Sequence, residues 1–82
     1  MQHLHQDDQV FGLVGGSGNK LVVIKFGATW CPPCVSLAPK LEQLASEYAG
    51  NPNVVFASVD VDECGGCSTE YGISGIPATK LF

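Results

Sequence analysis

Residues 21–39 read LVVIKFGATWCPPCVSLAP, and this stretch decides the fold. Leu21 to Ile24 is a continuous apolar run, the signature of a strand buried on both faces of a sheet. Gly27-Ala28-Thr29 turns the chain and presents Trp30-Cys31-Pro32-Pro33-Cys34. Beyond it Val35, Leu37, Ala38, Leu41, Leu44 and Ala45 recur at helical spacing. Two cysteines, two residues apart, therefore stand where a buried strand hands over to an amphipathic helix.

The first turn of a helix has unpaired N–H groups and the positive end of the macrodipole, so it stabilises a thiolate. Cys31 is expected at or just before the helix start and partly exposed, with Cys34 one turn further in. Residues at i and i+3 are helix neighbours at a Cα separation that suits a disulfide. Pro32 and Pro33 lack N–H groups, which costs nothing in the first helical positions, and they stiffen the loop. The arrangement suits reversible dithiol–disulfide exchange in which Cys31 attacks and Cys34 resolves.

WCPPC after VVIKFGAT, with Pro39 five residues past the second cysteine, resembles the thioredoxin family. So do VDVDEC at 59–64 and YGISGIP at 71–77. The resemblance runs from about Leu4 to Phe82 and implies an α/β fold, a central mixed sheet flanked by helices. It also implies the strand order first, third, second, fourth, with the fourth antiparallel. Its implied activity is protein-disulfide oxidoreduction, with no cofactor beyond the Cys31–Cys34 pair. The implied partners are disulfide-containing proteins and an electron donor, either a thioredoxin-reductase-like enzyme or a low-molecular-weight thiol. WCPPC is also similar to tryparedoxin and nucleoredoxin motifs, which leaves the donor open.

The resemblance further assigns Pro77 as a cis-proline facing the dithiol, and Ile76 as the residue pairing its main chain with an extended substrate. The plainer reading of that pair is an ordinary trans proline opening an edge strand. Trp30 is expected to shield the dithiol and offer a partner an apolar platform; core packing is the plainer role. Lys25 departs from the family, which usually has a buried Asp there as proton acceptor for the second cysteine. A charged lysine accepts no proton; beside Cys34 it favours the thiolate. The alternative is a lysine that snorkels past the strand end.

Eighty-two residues suit one small domain, 1–82, near the lower limit for a self-sufficient core. At 45% hydrophobic residues the chain is globular in composition. Eight acids against four lysines leave a charge of −4, which argues against nucleic-acid and anionic-membrane partners. The first ten residues, MQHLHQDDQV, lack a basic region and an apolar core of signal-peptide length, so a cytoplasmic setting is the expectation.

Gln2 to His5 is expected as a first strand, with Leu4 inward and His3 and His5 on the opposite face. With no third ligand nearby, the His pair reads as surface, and no metal site is assigned. A helix follows from Gln6-Asp7-Asp8, with Val10, Phe11, Leu13 and Val14 as its stripe and Gly15–Asn19 as its stop. The second helix is expected over Pro33–Ala49, kinked at Pro39. The second long strand is Val54–Val59, parallel to the first, and a short helix runs from Cys64 to about Tyr71. Asp60, Asp62 and Glu63 read as a solvated loop. PATKLF at 77–82 opens a last strand.

Cys64-Gly65-Gly66-Cys67 is a second CxxC. Cys64 matches an extra, non-catalytic cysteine of animal thioredoxins, and Cys67 has no such match. The pair reads as inert thiols, as a regulatory disulfide, or as half of a four-cysteine zinc site. Against zinc, 29 residues separate the two CxxC pairs.

Family members continue with a further strand and a C-terminal helix, so the resemblance implies a C-terminally shortened fold. An unprotected edge strand, exposed apolar surface and marginal stability or self-association are then expected. The rival to an enzyme is a catalytically weak binding or redox-regulatory module.

Overall fold

A computed structural model describes residues 1–82. Alternating polarity and glycine-rich breaks divide the chain into β1 (Gln2–Leu4), α1 (Asp7–Gly15), β2 (Leu21–Gly27), α2 (Pro32–Glu47), β3 (Val54–Asp60), α3 (Gly65–Glu70) and β4 (Ala78–Leu81). The sheet order is β1-β3-β2-β4. The first three strands are parallel and β4 runs antiparallel to β2. This is the expected mixed α/β sheet. No helix is long and apolar enough to cross a membrane.

The helix starts follow from local chemistry. Gln9 Oε1 accepts the N–H groups of His5 (2.8 Å) and Gln6 (3.1 Å), closing the entry to α1, and Asp7 and Asp8 sit in its positive first turn. Gly18 in the following loop has φ +61°, a conformation that L side chains rarely adopt. The helix α2 begins at Pro32, one residue before the expected start, and continues through Pro39. It ends at Glu47 rather than Ala49. The Tyr48 N–H caps it on the Leu44 carbonyl, and the Asn51 N–H closes the next turn on Tyr48.

The main core lies between one face of the sheet and the helices α1 and α3. Leu4, Val10, Val22, Ile24, Phe26, Ala57, Val59, Cys64 and Cys67 are buried there. Tyr71, Ile73 and Phe82 pack at its edge. On the opposite face α2 lies over the sheet, with Ala45 buried and Tyr48 stacked on Phe56 at 6.1 Å.

One expectation needs correcting. The strand β2 is not equally buried on both faces. Val22, Ile24 and Phe26 are fully buried, Val23 and Lys25 are half-buried, and Leu21 is 41% exposed. Two helices share the first face and only α2 covers the second, so the apolar run overstates burial there. Val35 and Leu44 of α2 also face solvent, at positions read as part of its apolar stripe.

Candidate functional site

The C-terminal end of β2 delivers the chain to the redox pair. Cys31 occupies the position just before α2 in extended backbone, and its Sγ accepts the Cys34 N–H at 3.4 Å. Pro32 and Pro33 fill the first two helical positions, where their missing N–H groups leave nothing unpaired. Cys31 and Cys34 are joined as a disulfide with Cα atoms 5.2 Å apart. Gly27 permits this geometry. A Cβ there would stand 3.3 Å from both Cβ and Sγ of Cys34, tighter than ordinary contact.

Cys31 is less open than its place at a helix start implies. It is 5% exposed and Cys34 is 2% exposed, because Ala28, Val61 and Ile76 close around them. The Ile76–Pro77 peptide is cis, and the Ile76 carbonyl lies 4.0 Å from Cys31 Sγ. Neither N–H nor C=O of Ile76 takes part in a backbone–backbone hydrogen bond, so both stay available to an extended chain.

Trp30 is 66% exposed and therefore presents a surface rather than filling the core. Its Nε1–H donates to Asp62 Oδ2 at 2.6 Å, which fixes the indole beside the disulfide. Asp62 is held in turn: its N–H donates to Asp60 Oδ1 at 2.8 Å. The reading of Asp60 and Asp62 as solvated loop missed this bracing role. The partners lie 32 residues apart, and only the VDVDE resemblance marked the segment at all.

Lys25 points beneath the pair. The same point beside Gly27 lies 3.3 Å from Cys34 Sγ and 3.4 Å from Lys25 Cε. Both residues line a cavity of about 320 Å³ together with Ala38, Ser58, Asp60 and Glu63. The lysine stem thus runs alongside Cys34, and Lys25 as a whole is half-buried. His3 and His5 stand at the cavity rim on separate partners. His3 Nδ1 meets Ser58 Oγ at 2.6 Å, and His5 Nδ1 meets Glu63 Oε1 at 3.1 Å.

Cys64 and Cys67 are free, fully buried, and on the opposite side of the sheet from Cys34. The two CxxC pairs belong to different clusters, so the four-cysteine zinc reading fails on topology. Burial, and then the charge of Asp7, push the Cys64 thiol up. Burial, then Cys64, then Asp7 push the Cys67 thiol from the ordinary 9.0 to about 12. Both are therefore protonated and unreactive at neutral pH. In the reduced protein, iodoacetamide at neutral pH is expected to label Cys31 and spare Cys64 and Cys67 until the chain unfolds. Comparable labelling of all of them by peptide mass spectrometry would contradict this burial.

The same shift has a stability consequence. From pH 9.0 to about 12 an unfolded Cys67 has lost its proton while the folded one keeps it. The unfolded state then binds fewer protons, so stability falls as pH rises through that window. Urea midpoints measured across it should decline, and decline less in Cys67→Ala.

Comparison with known proteins agrees with the geometry. The family model described as Thioredoxin matches residues 4–82. Thioredoxin of Echinococcus granulosus is 46% identical over 65 residues, covering 79% of this chain and 58% of that protein. Protein disulfide-isomerase erp38 of Neurospora crassa is 41% identical over 78 residues, covering 93% of this chain and 21% of that protein. Among solved structures, Fasciola hepatica thioredoxin superposes with a TM-score of 0.88 at 34% identity, covering 100% of this chain and 76% of that one. The chain thus spans between about a fifth and three-fifths of the length of these two curated relatives.

Proposed function

Because the chain belongs to the thioredoxin family, we propose that it reduces disulfides in partner proteins by exchange through Cys31 and Cys34. The observation that carries the reading is the Cys31–Cys34 disulfide at the start of α2, beside the unpaired main chain of Ile76.

In the reduced state the Cys31 thiolate attacks one sulfur of a substrate disulfide. The substrate S–S bond breaks, a Cys31–substrate disulfide forms, and the leaving thiolate takes up a proton. Cys34 then loses its proton and attacks Cys31 Sγ. The Cys31–Cys34 bond forms and the second substrate thiol departs, so the substrate has gained two electrons and two protons. A reductase, or two molecules of a low-molecular-weight thiol, returns the pair to its reduced form. The reduced dithiol itself carries the two electrons that pass to the substrate, and the proposed cycle uses no separate cofactor.

Trp30 supplies an apolar face for the substrate segment, and Ile76 supplies one donor and one acceptor for strand-like pairing. A cycle that must be recharged by a reductant suits a reducing compartment such as the cytoplasm. Reduction of insulin by dithiothreitol tests the reading. The chain is expected to speed the reaction well above the reductant alone, and a folded chain that gives no acceleration overturns it.

Lys25 favours a second reading, a module that captures partners and releases them slowly. Its stem lies beside Cys34, and a charged lysine accepts no proton from a thiol. Lys25→Asp is expected to speed resolution of the mixed disulfide at neutral pH by about 10²-fold, the low end for a positioned general base. Stopped-flow measurement of that step decides between the two, and an unchanged rate removes the slow-release reading.

Self-association of the 82-residue chain is a further reading of its partners. The strand β4 lies at the end of the sheet order, and Leu81 is 67% exposed. Sedimentation should then depend on concentration; a folded monomer at every concentration rules it out.

A further inference from the structure

The buried thiols that exchange chemistry does not use have a carboxylate beside them. Asp7 opens α1, while Cys64 and Cys67 flank the start of α3. One donor atom from each, two Sγ and a carboxylate oxygen, lie within 4.8 Å of one another. A zinc ion bound at about 2.3 Å from each of two thiolates sets the sulfurs about 3.8 Å apart, so small side-chain rotations close the site.

The carboxylate is built into its place. Asp7 Oδ1 accepts the Cys67 N–H at 2.9 Å and Oδ2 accepts the Gly66 N–H at 3.2 Å. Those two bonds orient the carboxylate while each oxygen keeps further lone pairs for a ligand. Position 66 is itself matched to the arrangement, since any Cβ there would collide with Asp7 Oδ2. The thiols make weak bonds to main-chain oxygens, Cys64 to Leu4 at 3.9 Å and Cys67 to Cys64 at 3.3 Å, and Cys67 also lies within hydrogen-bond reach of Asp7. Both cysteines are sealed from solvent, whereas Asp7 is half-buried and marks the side by which an ion enters.

We propose that Asp7, Cys64 and Cys67 form a three-ligand site for zinc(II), separate from the exchange centre, with water as the fourth ligand on the Asp7 side. A disulfide between Cys64 and Cys67 is the competing use of the same sulfurs. A neighbouring carboxylate contributes nothing to a disulfide, but it supplies a third donor and negative charge to a cation. Two soft sulfurs exclude magnesium and calcium, and the hard oxygen favours zinc over copper(I). Binding releases two protons, one from each thiol, and involves no change of oxidation state. The bound ion joins α1 to α3.

The test uses the 82-residue chain with Cys31→Ser and Cys34→Ser, kept reduced with a phosphine, so that the exchange pair offers no ligands. Cobalt(II) serves as the optical probe and zinc(II) as competitor. One cobalt per chain, with thiolate-to-cobalt charge-transfer absorption, displacement by zinc and release of two protons per zinc, is the expected result. Asp7→Asn should weaken zinc at least about tenfold, and Cys67→Ser should abolish the charge-transfer band. Zinc should also raise the unfolding temperature of the parent but not of Cys67→Ser. Absence of the charge-transfer band in the folded parent overturns the proposal. So does a folded Asp7→Asn variant with unchanged zinc affinity.

Discussion

Cys31→Ser is expected to abolish catalysed disulfide reduction, a loss of at least about 10³-fold that leaves only the rate of the reductant itself. The serine retains the cap on α2 but offers no sulfur to form the covalent intermediate, so the first step has no nucleophile. Cys34→Ser should behave differently. Cys31 still attacks and the mixed disulfide still forms, but the attack that releases the substrate is gone. A covalent adduct of one chain with one substrate should therefore accumulate, visible by intact mass and dissolved by excess thiol. Turnover by Cys31→Ser, or failure of Cys34→Ser to trap a partner, reverses the order of attack assigned to the pair.

Phe26→Ala is expected to give the largest loss of stability, about 3–5 kcal/mol. Phe26 is fully buried on β2, flanked on the sheet by Val59 of β3 and Ala78 of β4. Its ring meets Tyr71 edge-on at 6.3 Å, and Tyr71 in turn packs on Phe82 at 4.7 Å and Phe11 at 5.7 Å. Removing it opens a cavity beneath an aromatic cluster that joins α1, the end of α3 and the last strand. Domains have a margin of about 5–15 kcal/mol, so the variant should be substantially unfolded by mild denaturant. A urea titration reads the effect as a lower midpoint with an unchanged slope. A loss under about 1 kcal/mol would show that the neighbouring rings collapse into the space.

What was legible in the sequence was local in period and in position. The apolar run of β2, the turn at Gly27 and the recurrence after Cys34 together placed a dithiol at a strand-to-helix junction, and the fold has it there. Strand order and the cis Ile76–Pro77 peptide came through family likeness, since neither is written in periodicity. The illegible parts are contacts between residues distant in sequence. Trp30 is held by Asp62, and Cys67 by Asp7 across 60 residues, and each acid also fits a surface loop or a helix start on local grounds. Burial of Cys31 was misjudged for the same reason: helix position suggests exposure, and the residues that cover it come from the segments at 61 and 76.

The placement of Lys25 has a consequence for assembly as well as for chemistry. Across the sheet it is registered with Ser58, which is registered with His3, and on the other side with Thr79. These four residues form a polar row over one face, while Ile24 and Phe26 on either side point into the sealed core on the other. A slip of β2 by a single residue would drive an ammonium group into that core and turn two large apolar side chains toward the row. Mispaired sheets are thereby penalised from within the central strand, so the lysine beside the redox pair also acts as a proofreader of strand alignment.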